Sequence, residues 1–212
     1  MKKHPMILPG CVSLLVLILS LSSYAADFIQ LPAPQTTGGK PLMEALKDRK
    51  TTRTFSDEKL SMQTLSNLLW AAFGINRPDG RRTAPSAKNW QEIDIYVAAP
   101  EGAYLWDAGK NGLSPVSNRD LRAMTGPQAA VGLVYVADYS RVVDARGFDK
   151  DLLVAADTGF ISQNVYLFCA SESLATVVRG GFDRSLIKEL KLKREQKIIL
   201  VQPVGYPKNR QD

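Results

Sequence analysis

The stretch DLLVAADTGFISQNVYLFCASESL, residues 151–174, decides the fold. Its apolar side chains point in nearly every direction around a helix, and a helix that is apolar all round must be covered all round. In a chain of 212 residues, this predicts a helix that is wrapped by the rest of the domain or completed by a second copy of the chain. The small residues Ala155, Ala156 and Gly159 would let another helix approach closely.

Short helices and strands are predicted on both sides of this segment. Pro41 opens a short helix, and Ser61 caps a second helix that Gly74 ends in the left-handed conformation. The alternation from Ile93 to Val97 predicts a strand with one buried face. Further strands are expected at 103–108, 133–137, 176–178 and 198–204, and further helices at 118–126 and 183–190. These helices and strands neither alternate strictly along the chain nor segregate into separate parts of it. Such an order favours an α+β layer fold.

The N-terminus has the three-part layout of a secretory signal peptide. Lys2 and Lys3 precede an apolar run, residues 11–21, which leads to Ser23-Tyr24-Ala25. The run is shorter than the roughly 20 residues that span a bilayer. We therefore expect cleavage after Ala25 or Ala26, and an exported, periplasmic product with no membrane span. A lipoprotein modified at Cys11 and an uncleaved membrane anchor are the alternatives.

The remaining chain divides into an arm and one domain. Residues 26–40 contain Pro32, Pro34, Gly38 and Gly39, which is typical of an extended arm or tether. Residues 41–212 form the domain. The net charge of +6 falls to +4 without Lys2 and Lys3. The basic residues form no stripe interleaved with aromatic residues, so we expect no nucleic-acid partner.

The scarcity of histidine excludes more kinds of active site than any other feature of the composition. The only histidine is His4, and the two cysteines are Cys11 and Cys169. A mature chain without histidine excludes a Ser-His-Asp triad, a Cys-His pair and the usual zinc sites. Cys169 lies in an apolar run and is predicted to be a buried small hydrophobic residue. The chemistry is therefore left to carboxylates, Lys, Arg, Tyr or a bound cofactor, and no metal site is predicted.

Three segments have the composition of a binding site, and the third, the C-terminal Lys208-Asn209-Arg210, would by itself be only a basic tail. In RKTTRTF, residues 49–55, Arg49, Thr51 and Arg53 share one side of an extended chain, which suits a phosphate group. The alternative is a solvated run of charge after a helix. In the loop TAPSAKNWQ, residues 83–91, Ser86, Asn89 and Gln91 offer donors and acceptors for a planar heterocycle. The alternative for this loop is turn chemistry.

Together, these segments resemble the nitroreductase family of FMN-binding flavoproteins. The family motif R-x-S-x-[RK]-x-F is matched at residues 49–55 with Thr51 in place of Ser, and P-S-x-x-N-x-Q is matched at residues 85–91. Gln163-Asn164, Gly181-Phe182-Asp183 and Gly205-Tyr206-Pro207 follow in the family's order. The resemblance covers residues 42–210, and residues 68–76 are similar to the short branch related to azoline-forming dehydrogenases.

The resemblance implies an α+β fold with a central antiparallel or mixed sheet, flanking helices and an intertwined homodimer. One FMN would lie in each of two interface sites. Its phosphate and ribityl chain would be held by Arg49, Thr51 and Arg53, assisted by Lys208 or Arg210. Pro85, Ser86 and Asn89 would shape and bind the isoalloxazine edge, and the N–H of Gly180 or Gly181 would face the flavin N5.

The function implied is that of an FMN-dependent oxidoreductase with no catalytic side chain. It would exchange hydride through FMN with a small organic substrate such as a quinone or nitro compound. The electron donor would be NAD(P)H or a periplasmic electron carrier, or the enzyme would oxidise its own substrate. The alternative is a non-catalytic module that binds a flavin or another small ligand in the periplasm.

Overall fold

An antiparallel sheet of seven strands forms the centre of the computed structural model, which describes residues 27–208. The strand order is β1-β4-β3-β2-β5-β7-β6, and every neighbouring pair is antiparallel. The strands are β1 (Ile29–Gln30), β2 (Ile93–Ala99), β3 (Gly102–Asp107), β4 (Gly112–Ser117), β5 (Val131–Asp138), β6 (Ala175–Thr176) and β7 (Gln196–Gly205). The α+β prediction is confirmed. The predicted signal peptide, residues 1–25, lies outside the described residues, as does Arg210.

The predicted long helix is α3 (Gly147–Ser171). Its buried side chains, among them Val154, Ile161 and Val165, join the core cluster that fills one side of the sheet. The helices α1 (Leu42–Asp48) and α2 (Met62–Phe73) pack against α3. Because these elements cover only part of the helix, Leu152, Ala155, Ala156 and Phe160 remain exposed along one stripe.

The composition of α3 would also suit a membrane span. Residues Asp149–Ser171 have a mean hydropathy of 1.2 over their most apolar window, of which 44% is buried inside the fold. The core helix of a globular domain has the same properties. The contacts of α3 with the sheet, α1 and α2 explain its apolar character without a membrane.

The start and the end of α2 are predicted correctly, but the conformation of Gly74 is not. Ser61 Oγ accepts a hydrogen bond from the N–H of Thr64 at 3.0 Å, which is the expected N-cap. Gly74, however, has φ −70° and ψ 158°, so it is extended and not left-handed. A Cβ at Gly74 would lie 2.7 Å from Trp70 Cγ. Close packing under the indole therefore explains this glycine.

β2 differs from its prediction because both faces of the sheet are covered. Ile93, Ile95 and Val97 belong to the core on the α3 side. Tyr96 belongs to a second cluster, which includes Leu121, Met124 and Leu190 on the opposite side. Two 3₁₀ turns, Arg122–Thr125 and Arg184–Leu190, supply that second layer. The prediction of a single buried face was wrong because it assigned the Tyr96 ring to solvent.

These 3₁₀ turns replace two predicted helices. Only Arg122–Thr125 is helical within 118–126, since Asp120 Oδ1 accepts from the N–H of Arg122 and forms a local turn instead. Asp183 does act as a cap, with its Oδ1 accepting from the N–H of Ser185 at 2.9 Å, but the element it begins is 3₁₀. The edge strand β1 and its neighbour β4 were not predicted.

The arm lies against the domain. Leu31 is buried in the main core, and Ser66 Oγ on α2 donates to the carbonyl of Pro32 at 2.6 Å. At the other end, the N–H of Lys40 donates to Ser171 Oγ at 2.8 Å. The arm therefore runs from the sheet edge, over α2, to the C-terminal end of α3.

We predict that Val136→Ala lowers the free energy of unfolding by about 2–3 kcal/mol, because a fully buried residue of β5 loses two methyl groups and leaves a cavity. Urea denaturation followed by circular dichroism measures this change. The matched control is Val143→Ala, where the side chain is 54% exposed and the expected change is within about 0.5 kcal/mol. Equal losses in the two variants would contradict the burial assignment.

Candidate functional site

The Tyr166 hydroxyl on α3 joins two segments that the sequence places more than 100 residues apart. It accepts a hydrogen bond from the N–H of Val178 at 2.9 Å and lies 3.1 Å from Thr51 Oγ1. The guanidinium carbon of Arg49 lies 5.3 Å from the centroid of the Tyr166 ring, within the range of a cation–π contact. Arg49 and Thr51 therefore lie on the same side of the extended chain, as the i, i+2 spacing predicts.

Backbone hydrogen bonds hold the 49–55 segment between two others. The N–H of Thr52 donates to the carbonyl of Thr176 at 3.0 Å, and the N–H of Ser56 donates to the carbonyl of Tyr206 at 2.9 Å. The N–H of Lys208 donates to the carbonyl of Thr54 at 3.3 Å. The fold thus brings together three of the predicted segments: the arginine segment, the approach to Gly180 and Gly181, and the C-terminal strand with Lys208.

Gly180 and Gly181 follow β6 and are exposed. A Cβ built at either residue would meet nothing within 4 Å. Neither residue has the positive φ that would demand glycine. Within one chain, therefore, neither crowding nor backbone conformation explains these glycines, and their backbone faces open space.

Arg49 and Arg53 lack carboxylate partners. Among residues 27–208, no ion pair involves either guanidinium. A cavity of about 970 Å³ borders Arg49, and its other cationic walls are Lys40, Lys47 and Lys50. Thr51 and Arg53 are not among its lining residues, so the cavity and the predicted phosphate site share only Arg49.

The loop of the second motif is tied together internally. Ser86 Oγ accepts from the N–H of Gln91 at 3.0 Å, and Gln91 Nε2 donates to Asn89 Oδ1 at 3.1 Å. Arg82 Nε donates to Gln91 Oε1 at 2.7 Å. Ser86 and Gln91 therefore perform turn chemistry within the chain, and their role toward a heterocycle stays a prediction. Pro85 and Asn89 remain exposed.

This loop is strained. Lys88, Asn89 and Gln91 have φ values of 49°, 56° and 49°, in the left-handed region that non-glycine residues rarely occupy. Such conformations persist only where the surroundings impose them, and they cluster at binding sites. The hydrogen bonds of Gln91 are part of what imposes them here.

Within one chain, the loop and the arginine segment are attached to α3 at different points. Asp157 Oδ2 accepts from the N–H of Ala87 in the loop at 2.8 Å. Tyr166, which holds the arginine segment, lies nine residues further along the helix, or about 14 Å at the rise of an α-helix. No hydrogen bond among the described residues links the loop to residues 49–55.

Sequence reasoning missed the side chains that support both segments. Tyr166 is hidden in an apolar helix, where its hydroxyl was the only available signal. Glu92 and Asp157 are 0% and 2% exposed. Burial, together with the nearby Asp157 carboxylate, raises the pKa of Glu92 to about 7, although Arg141 lowers it. An acid directly before a buried strand could have pointed to Glu92.

These features define an α+β sheet protein whose long core helix anchors a cationic segment at one point and a strained polar loop at another. A model of the nitroreductase family matches residues 46–206. The chain belongs to the nitroreductase family, whose members generally bind a flavin.

Individual relatives agree with this assignment. A Ralstonia eutropha JMP134 protein, provisionally named a nitroreductase, has a crystal structure that is 39% identical, with a TM-score of 0.82 over 88% of this chain and 92% of that one. A Methanocaldococcus jannaschii protein, also provisionally named a nitroreductase, is 28% identical over 77% of this chain and 90% of its own length. The E. coli microcin synthetase complex McbBCD contains a chain of the same fold at 21% identity and a TM-score of 0.65, covering 98% of this chain and 79% of that one.

We predict that Tyr166→Phe lowers the free energy of unfolding by about 1–3 kcal/mol, since the Val178 N–H loses its acceptor. Thermal or urea denaturation tests this. Tyr104→Phe serves as the control, because that tyrosine is equally buried, at 7% exposure, and its hydroxyl forms no hydrogen bond to another described residue. A change at Tyr104 as large as that at Tyr166 would contradict the bridging role.

Proposed function

We propose that this protein is an FMN-dependent oxidoreductase. The observation that carries the proposal is that Arg49 and Thr51 meet at Tyr166 on one side of the segment, and that no carboxylate among the described residues forms an ion pair with Arg49 or Arg53. Two arginine forks and a hydroxyl on one side of an extended segment match the acceptors of a phosphate monoester. Family membership provides the second line of support.

The residues present fit a flavin mononucleotide. The donor set is cationic and hydroxylic where a phosphate is needed, and neither arginine forms an ion pair with a carboxylate of residues 27–208. The open space above Gly180 and Gly181 leaves their backbone accessible to a planar ring. Arg49, Thr51 and Arg53 would hold the phosphate and ribityl chain, with Lys208 nearby and Arg210 as a further candidate.

The remaining residues of the proposed site would orient the ring and exclude water. Asn89 has an exposed amide that can bond a heterocycle edge, and Pro85 would provide an apolar wall. The N–H of Gly180 or Gly181 would donate toward the ring. When bound, FMN supplies the hydride chemistry between an electron donor and a small organic acceptor such as a quinone or nitro compound. No side chain is required to act as acid or base.

The site is complete only in a homodimer. The loop carrying Asn89 and the segment carrying Arg49 are attached about 14 Å apart along α3 within one chain. The exposed stripe of α3, formed by Leu152, Ala155, Ala156 and Phe160, is apolar and narrow, which suits a second copy of the same helix. Pairing through this stripe would bring the loop of one copy toward the arginine segment of the other.

The predicted signal peptide would place this activity outside the cytoplasm. A periplasmic electron carrier would then replace the cytoplasmic NAD(P)H pool as donor, or the enzyme would oxidise its own substrate. The similarity of residues 68–76 to azoline-forming dehydrogenases favours the second option, in which the substrate is an organic molecule undergoing oxidation.

We predict that Arg49→Ala combined with Arg53→Ala weakens FMN binding at least about 100-fold, because each charge-assisted contact to phosphate contributes about 1.5–3 kcal/mol. Quenching of FMN fluorescence measures the dissociation constant. The control combines Arg146→Ala with Arg194→Ala, which removes the same charge from two exposed positions. Unchanged flavin affinity in the first variant would refute the phosphate assignment.

Turnover separates the enzyme from a non-catalytic flavin-binding module. The FMN-loaded protein is mixed with a reductant and then with a quinone or a nitroaromatic acceptor. For the enzyme, we expect repeated cycles of flavin reduction and reoxidation coupled to loss of the acceptor, faster than with the same concentration of free FMN. Rates equal to those of free FMN would favour the binding module.

We predict that Ala156→Glu converts the dimer to monomers, because a charge would be placed between two apolar helices. Sedimentation velocity gives the mass in solution. Ala123→Glu adds the same charge at an exposed position of the 3₁₀ turn Arg122–Thr125 and leaves the dimer intact. A monomeric parent protein, or a dimer that survives Ala156→Glu, would contradict the proposed interface.

A further inference from the structure

Two buried acids connect the strained loop to the long helix. Glu92 directly follows Gln91 at the end of the loop, and Asp157 projects from α3. Asp157 Oδ2 accepts from the N–H of Ala87, so it is already attached to the start of the loop. Glu92 and Asp157 are both buried where α3 packs against this loop and the start of β2, and the interaction of the two carboxyls raises the pKa of Glu92. The pair therefore connects both ends of residues 87–92 to one point on α3.

Among the described residues, no residue other than Glu92 itself, through its own backbone N–H, donates to the Glu92 carboxyl, and neither carboxyl oxygen has a hydrogen bond of good geometry. Two ionised carboxylates cannot hydrogen-bond to each other, because both only accept. A proton held between the two side chains is the arrangement that satisfies Glu92 and removes the repulsion of two buried negative charges.

The surrounding charges do not replace that proton. Arg141 is the nearest cation, but its guanidinium donates to the carbonyls of Gln91 and Glu92 and pairs with Asp94 at 2.7 Å. Asp138 lies 3.9 Å from Arg141 Nε and adds a further negative charge. Tyr139, the remaining titratable neighbour, is neutral because its pKa is raised far above the physiological range.

We propose that Glu92 and Asp157 share one proton, and that this bridge is the positioning device that holds the loop presenting Asn89. Gln91 connects the acid pair to Asn89, because its side-chain amide donates to Asn89 and its backbone continues into Glu92. The role toward flavin rests on the proposed function, whereas the proton bridge itself does not. Both acids are positioning residues, because neither is exposed to a ligand.

The bridge makes the loop sensitive to pH near neutrality. Burial and Asp157 raise the pKa of Glu92 from 4.5 in the unfolded chain to about 7 in the folded one. The stabilisation from this group is therefore complete below about pH 4.5 and is lost as the pH rises to about 7. In the folded protein, the bridge itself opens above pH 7, where two ionised carboxylates face each other.

Glu92→Gln tests the bridge, because its amide donates to Asp157 at every pH. The first readout is the hydrogen-exchange protection factor of the Ala87 amide in flavin-free full-length protein. Between pH 6 and pH 8 we expect this factor to fall by up to about tenfold in the parent and to stay constant in Glu92→Gln. Glu195→Gln, at an exposed position, retains the parent's pH profile.

The second readout is the FMN dissociation constant over the same pH range. We expect it to rise by up to about tenfold in the parent relative to Glu92→Gln. Ionisation of the FMN phosphate is common to all variants and cancels in this ratio. Loss of FMN binding in every variant would overturn the proposed function. The hydrogen-exchange measurement on the Ala87 amide would then test the proton bridge by itself.

A carboxyl ¹³C NMR titration of the unmodified protein tests the bridge even if Glu92→Gln fails to fold. A Glu92 resonance that titrates near pH 7, coupled to that of Asp157, supports the shared proton. Independent titration of both carboxyls below pH 5, or parallel pH profiles for the parent and Glu92→Gln, would overturn it.

Discussion

The requirement to cover α3 is the constraint on which the rest of the structure depends. A helix of 25 residues with apolar side chains on all sides cannot be exposed to water, so the sheet, α1 and α2 are arranged around it. The core of the domain is built on this contact through Val154, Ile161 and Val165. What the domain leaves uncovered is a narrow stripe, which explains why a second copy of the chain is part of the functional proposal.

The same helix organises the candidate site. Tyr166 uses its hydroxyl to fix the arginine segment and the approach to Gly180, while Asp157 fixes the polar loop. Both side chains are polar groups that a fully apolar helix would lack. Their burial is tolerated because each has a hydrogen-bond partner. The helix that carries the core thus also sets the distance between the two halves of the site.

The sequence allowed prediction of the features that depend on local chemistry. The cap at Ser61, the buried run of β5 and the shared side of Arg49 and Thr51 follow from residue type and spacing alone. Features that depend on distant neighbours were missed or mistaken. The ring of Tyr96 is buried only because a second layer covers it. Position 74 requires glycine because the Trp70 side chain leaves no room for a Cβ, and not because the backbone forms a left-handed turn there. The acid pair Glu92 and Asp157 joins residues 65 positions apart, beyond the reach of any spacing rule.

The central claim is that the cationic segment beside Tyr166 is one part of a flavin site. Its most direct test is to incubate the purified full chain with FMN, remove free flavin by gel filtration and record the visible absorbance that elutes with the protein. We expect a yellow protein with one FMN per chain and a spectrum distinct from that of free FMN. A colourless protein that takes up no FMN at saturating concentration would contradict the account.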